Sequence, residues 1–221
     1  MKKILLLSLS CITAMSFAQN IESTTNTSQQ TKPNIMFVCG GNSGRSVMAE
    51  WYTRKNYGSI INDFSRGSGI DPNDQQVPEE FAEEIILANH EATKNELALQ
   101  RPTPATVQDI NNSAVVLTMT NSHSKRLFNL IDRECLDSNL ATRDLSASSL
   151  KQWTEMCKDK AQLKAKIHTI SECATGKYIE VPDAFGESQN FYKKTNKILA
   201  DYTDMIMKNY HQTGNFCKKS N

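Results

Sequence analysis

Asn34-Ile35-Met36-Phe37-Val38-Cys39-Gly40-Gly41-Asn42-Ser43-Gly44-Arg45-Ser46-Val47-Met48-Ala49-Glu50 reads as three kinds of chain in succession. Ile35 to Val38 is an unbroken apolar run, the pattern of a strand covered on both faces. Cys39 to Ser46 is small and glycine-rich. Beyond it Val47, Met48, Trp51 and Tyr52 recur at helical spacing, with Glu50, Arg54 and Lys55 on the other side. Strand, small-residue loop, helix is the opening of an α/β domain.

The loop is where chemistry concentrates. Small and polar residues after a buried strand let backbone N–H groups turn inward and form an anion nest. Arg45 then stands at the start of a helix, where guanidinium and helix dipole face the same anion. Such a loop holds a tetrahedral oxyanion without a metal, and the groups that bind phosphate also stabilise the thiolate of Cys39.

The rest of the chain continues the alternation. Ile60-Ile61 and Phe64 mark a second strand ending at Ser65-Arg66-Gly67, and Glu79 to Ala88 reads as a helix. Ala114 to Met119 is another apolar strand, followed by a helix carrying Leu127, Leu130 and Ile131, on which His123 reads as an exposed residue. The polar stretch from Asp132 to Lys166 has a helix near Leu150 to Lys160. Lys166 to Ile170 is a last strand, and Phe191 to Ile206 lies in a closing helix. Strands alternating with helices predict a four-stranded parallel sheet with helices on both faces.

Composition narrows the function classes. The 221 residues carry 25 Lys+Arg and 24 Asp+Glu, a net charge of +1 that advertises no nucleic-acid stripe. Met1-Lys2-Lys3, the apolar run to Met15 and Ser16-Phe17-Ala18 predict a signal peptide cleaved after Ala18, hence a periplasmic or secreted protein. Residues 19–33, rich in Thr, Gln, Asn and Ser, read as a flexible leader. No later segment approaches membrane length, so no membrane contact is expected after cleavage. Five cysteines would remain: Cys39, Cys135, Cys157, Cys173 and Cys217. Outside the cytosol that leaves one free thiol and up to two disulfides, with three pairings open. No two lie at CxxC spacing, so no metal is expected.

The segment from Phe37 to Glu50 resembles the signature of the low-molecular-weight protein tyrosine phosphatase family. Two further stretches resemble it in the same order: Val115-Val116-Leu117-Thr118-Met119-Thr120 with His123, and Val181-Pro182-Asp183-Ala184-Phe185-Gly186, where that family has its general-acid loop. The resemblance implies a flavodoxin-like phosphotyrosine phosphatase I fold over residues 34–211, with an insert near 132–166 and a tail at 212–221. It implies no cofactor and a double displacement: Cys39 attacks phosphorus, Arg45 grips the equatorial oxygens, and the loop Gly40, Gly41, Asn42, Ser43, Gly44 holds the rest. Asp183 would protonate the leaving group and then activate water. Ser46 would donate to the sulfur, Ser65 would help Asn42 hold the loop, and Phe185 would wall the cleft. The substrate implied is a phosphorylated protein or a small aryl phosphate; the sequence leaves the oligomeric state open.

Departures from the family pattern bear on specificity. Gly44 stands where many members carry a second cysteine. Ala184 replaces the usual proline of the acid loop, which predicts a less rigid loop, and Phe185 replaces a common tyrosine. The insert brings Cys135 and Cys157, expected to link it to the body through Cys173 and Cys217. Ser43 replaces the larger apolar residue of tyrosine-selective members and, with the Asp-x-Phe-Gly acid loop, resembles the protein-arginine phosphatase branch. An exported enzyme would rarely meet cytosolic phosphoarginine, so phosphotyrosine comes first and phosphoarginine second. An arsenate reductase of the same fold would need two further cysteines on a mobile segment, whereas Cys135 is the next in sequence. A non-catalytic phosphate binder would not need Cys39 together with Asp183.

Overall fold

The computed structural model describes residues 31–70, 78–136 and 146–218. The expected signal peptide at 1–18 and most of the leader at 19–33 lie outside them. At the core are four parallel strands, β1 (Asn34–Cys39), β2 (Asn62–Gly67), β3 (Val115–Thr118) and β4 (Ile167–Thr169), in the order β2-β1-β3-β4. The helices are α1 (Arg45–Tyr57), α2 (Glu80–Ala88), α3 (Lys94–Leu97), α4 (Val107–Asn112), α5 (Asn121–Glu134), α6 (Ala147–Cys157), α7 (Lys160–Ala165), α8 (Ile170–Thr175) and α9 (Gln189–Thr213).

The two-residue period of a strand divides the core. Ile35, Phe37 and Cys39 of β1 face a cluster with α1, α2, α8 and α9, while Met36 and Val38 face a second with α4, α5 and the α6–α7 segment. Because β1 is covered on both sides, its apolar run is continuous rather than alternating. Phe37 is fully buried, and trimming such a side chain to Ala costs about 3–5 kcal/mol.

The order of the strands places the site. From β1 the chain goes through α1 to β2 on one side, then returns to β3 on the other, so the carboxyl end of β1 lies at the switch point of the sheet, where open α/β sheets bind ligands. Backbone bonds tie the neighbouring strand ends together there: Ser68 N donates to Cys39 O (2.9 Å), Gly69 N to Gly40 O (3.1 Å) and Met119 N to Val38 O (3.0 Å).

Three expectations are corrected. Cys135 pairs with Cys157, and Cys173 with Cys217, so the insert cysteines do not bridge to Cys173 and Cys217. The reason is packing: Cys135 ends α5 and Cys157 ends α6, both inside the second core cluster, whereas Cys173 lies on α8 beside the segment that follows α9. The tail expected from 212 is also part of the body as far as it is described, since α9 runs to Thr213, Phe216 stacks on Tyr210 at 4.3 Å and Cys217 is bonded. At the other end Lys32 and Pro33 belong to the body, through Lys32 Nζ on Gly58 O and Asn62 N on Pro33 O.

Candidate active site

Cys39 ends β1 with 3% of its surface exposed. Asn42 N donates to its Sγ at 3.2 Å, and the Ser46 hydroxyl lies 3.1 Å from the same sulfur. Asn42 Nδ2 donates to Ser46 Oγ (3.1 Å) and Ser65 Oγ (2.7 Å), Ser65 Oγ donates to Glu50 Oε2, and the Arg54 guanidinium holds Glu50 Oε1. The direction of this chain is set by its first link. Ser46 accepts from an amide that can only donate, so its own proton is available to the sulfur. Two donors converging on one sulfur suit a sulfur that carries negative charge, as nucleophile or as leaving group.

Asn42 also explains the shape of the loop. Its φ is +59°, a left-handed conformation that asparagine tolerates better than most side chains. Its Oδ1 accepts from Thr103 N at 3.0 Å, so all of its side-chain groups are engaged while it is fully buried. Asn42 and Ser65 therefore meet, as the resemblance implied.

Arg45 opens α1 and is 8% exposed. Its guanidinium reaches Asp183 Oδ2 at 2.6 Å and Val181 O at 3.2 Å. The segment carrying Asp183 is fixed by its apolar neighbours: Val181 and Ala184 are buried, Val181 N donates to Met119 O, and Glu187 N closes a turn on Ala184 O. Asp183 itself is left exposed, with Phe185 N donating to its Oδ1 (3.3 Å) and Phe185 74% exposed. The alanine in place of the expected proline thus gives a loop anchored by burial.

Glu79 and His123 belong to the site although the sequence assigned neither a role in it. Ser43 Oγ donates to Glu79 Oε1 at 2.6 Å, Glu79 N donates back to Ser43 O at 3.0 Å, and the Tyr192 hydroxyl of α9 donates to the other carboxylate oxygen. Burial and then the hydrogen bond to Glu79 push the Tyr192 phenol above its ordinary range. A Cβ on Gly44 would collide with this carboxylate, which accounts for glycine where a second cysteine is common in the family. His123 was expected to be exposed but is 5% exposed, its Nε2 3.7 Å from where a Cβ on Gly40 would lie. Burial, followed by the charges of Arg45 and Arg126, pushes it down to about 4, so it is neutral at pH 7. Its signal was helical spacing: His123, Leu127 and Ile131 share the buried face of α5.

A buried sulfur receiving two hydrogen bonds at the end of β1, with an arginine six residues on that opens α1 and is paired to a carboxylate, defines a class: an α/β enzyme equipped for nucleophilic displacement on a tetrahedral oxyanion. The model of the family "Low molecular weight phosphotyrosine protein phosphatase" matches residues 34–137, a little under half of the chain, and over that stretch the chain is similar to that family. It is 26% identical to the protein-arginine-phosphatase of Bacillus subtilis over 181 residues, covering 79% of this chain and 95% of that protein. Among solved structures, an arginine phosphatase from Geobacillus stearothermophilus superposes with a TM-score of 0.60 at 17% identity, covering 81% of this chain and 94% of that one. A low molecular weight phosphotyrosine phosphatase from Vibrio cholerae O395 gives 0.61 at 17%, covering 82% and 99%. The chain has the four-stranded parallel fold of these phosphatases.

Proposed function

We propose that the chain is an exported, cysteine-dependent phosphatase of phosphorylated protein side chains, with phosphoarginine ahead of phosphotyrosine. Cys39 Sγ forms a bond to phosphorus as the bond to the leaving nitrogen or oxygen breaks, and Asp183 gives that atom its proton. Water then attacks the phosphocysteine, Asp183 takes the water proton, and the sulfur leaves as thiolate with the Ser46 hydroxyl bonded to it. Arg45 and the amides of Gly40, Gly41, Asn42, Ser43 and Gly44 hold the phosphoryl oxygens.

The observation that carries the substrate reading is the Ser43–Glu79 bond. Because the Ser43 hydroxyl donates to Glu79, its remaining lone pairs can only accept, which suits a leaving group rich in N–H donors. The sequence alone put phosphotyrosine first; the Ser43–Glu79 pair and the likeness to a protein-arginine phosphatase reverse that order. Phosphotyrosine stays as the second reading because Phe185 offers an exposed aromatic face beside Asp183. An arsenate reductase is disfavoured because Cys135 is bonded to Cys157 and Cys173 to Cys217, leaving neither pair free to exchange with Cys39.

Export rests on the amino-terminal pattern and on those two disulfides, which persist in oxidising compartments. Matched peptides phosphorylated on arginine or tyrosine test the substrate reading. It expects kcat/KM at least about tenfold higher for phosphoarginine, a gap within reach of one hydrogen-bonding position; a tyrosine preference overturns it. Amino-terminal sequencing of the protein recovered from fractionated cells tests export: a start at Gln19 supports it, and an intact Met1 in the cytosolic fraction contradicts it.

A further inference from the structure

A cavity of about 380 Å³ lies beside the site, between the end of β2 and the outer face of α5, lined by Gly67, Ser68, Gly69, Arg126, Asn129 and Leu130 among others. Its strand wall is bonded to the nucleophile's own backbone, since Ser68 and Gly69 donate to the carbonyls of Cys39 and Gly40. Its helix wall is equally close, because His123, one turn before Arg126, packs against Gly40 and feels the charges of Arg45, Arg126 and Asp183 together. Arg126 is exposed, and no carboxylate of the described residues lies within ion-pair distance of it. Its guanidinium lies over Gly69, where a Cβ would come within 2.5 Å of Nη1, so the glycine leaves room for the arginine at the cavity wall.

We propose that this cavity is a docking subsite for a carboxylate side chain of the substrate protein, close in sequence to the phosphorylated residue, with Arg126 as its cation. A guanidinium matches a carboxylate through two parallel N–H donors, and the walls on either side bring any group held there next to the loop that binds the phosphoryl group. The effect belongs to substrate selection and leaves the chemical step untouched. The proposal rests on the phosphatase reading above.

The test uses the mature protein and phosphopeptides in which a single Glu is walked from three places before to three places after the phosphorylated residue. Para-nitrophenyl phosphate serves as the substrate with no flanking group. In the wild type one Glu position should raise kcat/KM roughly fivefold to thirtyfold over the neutral peptide, an ordinary gain for a charge pair at an interface. Arg126→Ala should abolish that gain while leaving the neutral peptide and para-nitrophenyl phosphate unchanged. Lys125→Ala, an exposed neighbour outside the cavity, should keep the gain. No preferred Glu position in the wild type, equal losses on all substrates in Arg126→Ala, or loss of the gain in Lys125→Ala would each overturn the subsite. A protein without activity on any phosphorylated substrate would instead overturn the phosphatase reading.

Discussion

Asp183 Oδ2 lies 2.6 Å from Arg45 Nη2, so the residue assigned to move the proton also holds the residue assigned to grip phosphate. An oxyanion seated in the loop competes with Asp183 for that guanidinium. Binding of phosphate and release of the carboxylate to face the leaving group are therefore one exchange of hydrogen bonds, not two separate events.

Replacing Asp183 by Asn should separate the two roles. Turnover of substrates with poor leaving groups should fall roughly 10²–10⁴-fold, as for loss of a general acid. Inhibition by inorganic phosphate or vanadate should tighten, because Arg45 loses a charged competitor. Steady-state rates across a series of aryl phosphates, with inhibition constants for both anions, measure both effects; weaker anion binding in the variant would show that the pair is part of the oxyanion site.

Ser46→Ala removes a donor to sulfur that matters most when sulfur departs. Hydrolysis of the phosphorylated enzyme should slow roughly 10²-fold, the size of one lost oxyanion-type donor. Pre-steady-state kinetics should then show a burst of released leaving group followed by a slow phase. No burst, with both steps slowed alike, would place the role of Ser46 in holding the loop.

The Ser43–Glu79–Tyr192 chain predicts a change of substrate. Ser43→Ile should raise the ratio of phosphotyrosine to phosphoarginine kcat/KM by roughly 10–200-fold. Gly44→Ala, which drives the Glu79 carboxylate off Ser43, should move the ratio the same way though less. Paired peptide assays on both variants decide it.

Stability against pH should show two opposed groups. Burial lowers His123 to about 4, so the folded state binds fewer protons than the unfolded one between about 4 and 6.5, and stability falls as pH drops through that window. Burial raises Asp63 to about 6 against the opposing Arg54 charge, so the folded state holds more protons between about 4 and 6, and stability falls as pH rises through that range. Urea denaturation from pH 4 to 7 should show a shallower loss toward acid for His123→Asn, and at pH 7 a gain for Asp63→Asn.

The strands that carry the site were readable because burial on both faces leaves a signature that no exposed element mimics; Ile35 to Val38 and Val115 to Thr118 fall where their apolar runs lie. The second strand begins later than Ile60-Ile61 suggested, since Ile61 is buried before the ladder starts at Asn62. The short helices α3 and α4 passed unread because four or six residues show no period, although Thr93–Glu96 and Thr106–Asp109 form reciprocal caps. In the site, Cys39 and Arg45 were legible in the loop itself, while the roles of Asn42, Ser46, Ser65 and Asp183 came from the family resemblance. Glu79 was not, because its meaning comes from Ser43 and Tyr192, far away in sequence, and those contacts exist only after α2 and α9 have packed on α1.

The most direct test of the central claim, that Cys39 carries the phosphoryl group between two displacements, is to acid-quench the mature protein during turnover of a phosphorylated substrate and map the modified peptide by mass spectrometry. The account predicts one added phosphoryl group on Cys39, none at that position in Cys39→Ala, and loss of turnover in Cys39→Ser. Sustained hydrolysis by Cys39→Ser, or turnover by the wild type with Cys39 never modified, would contradict it.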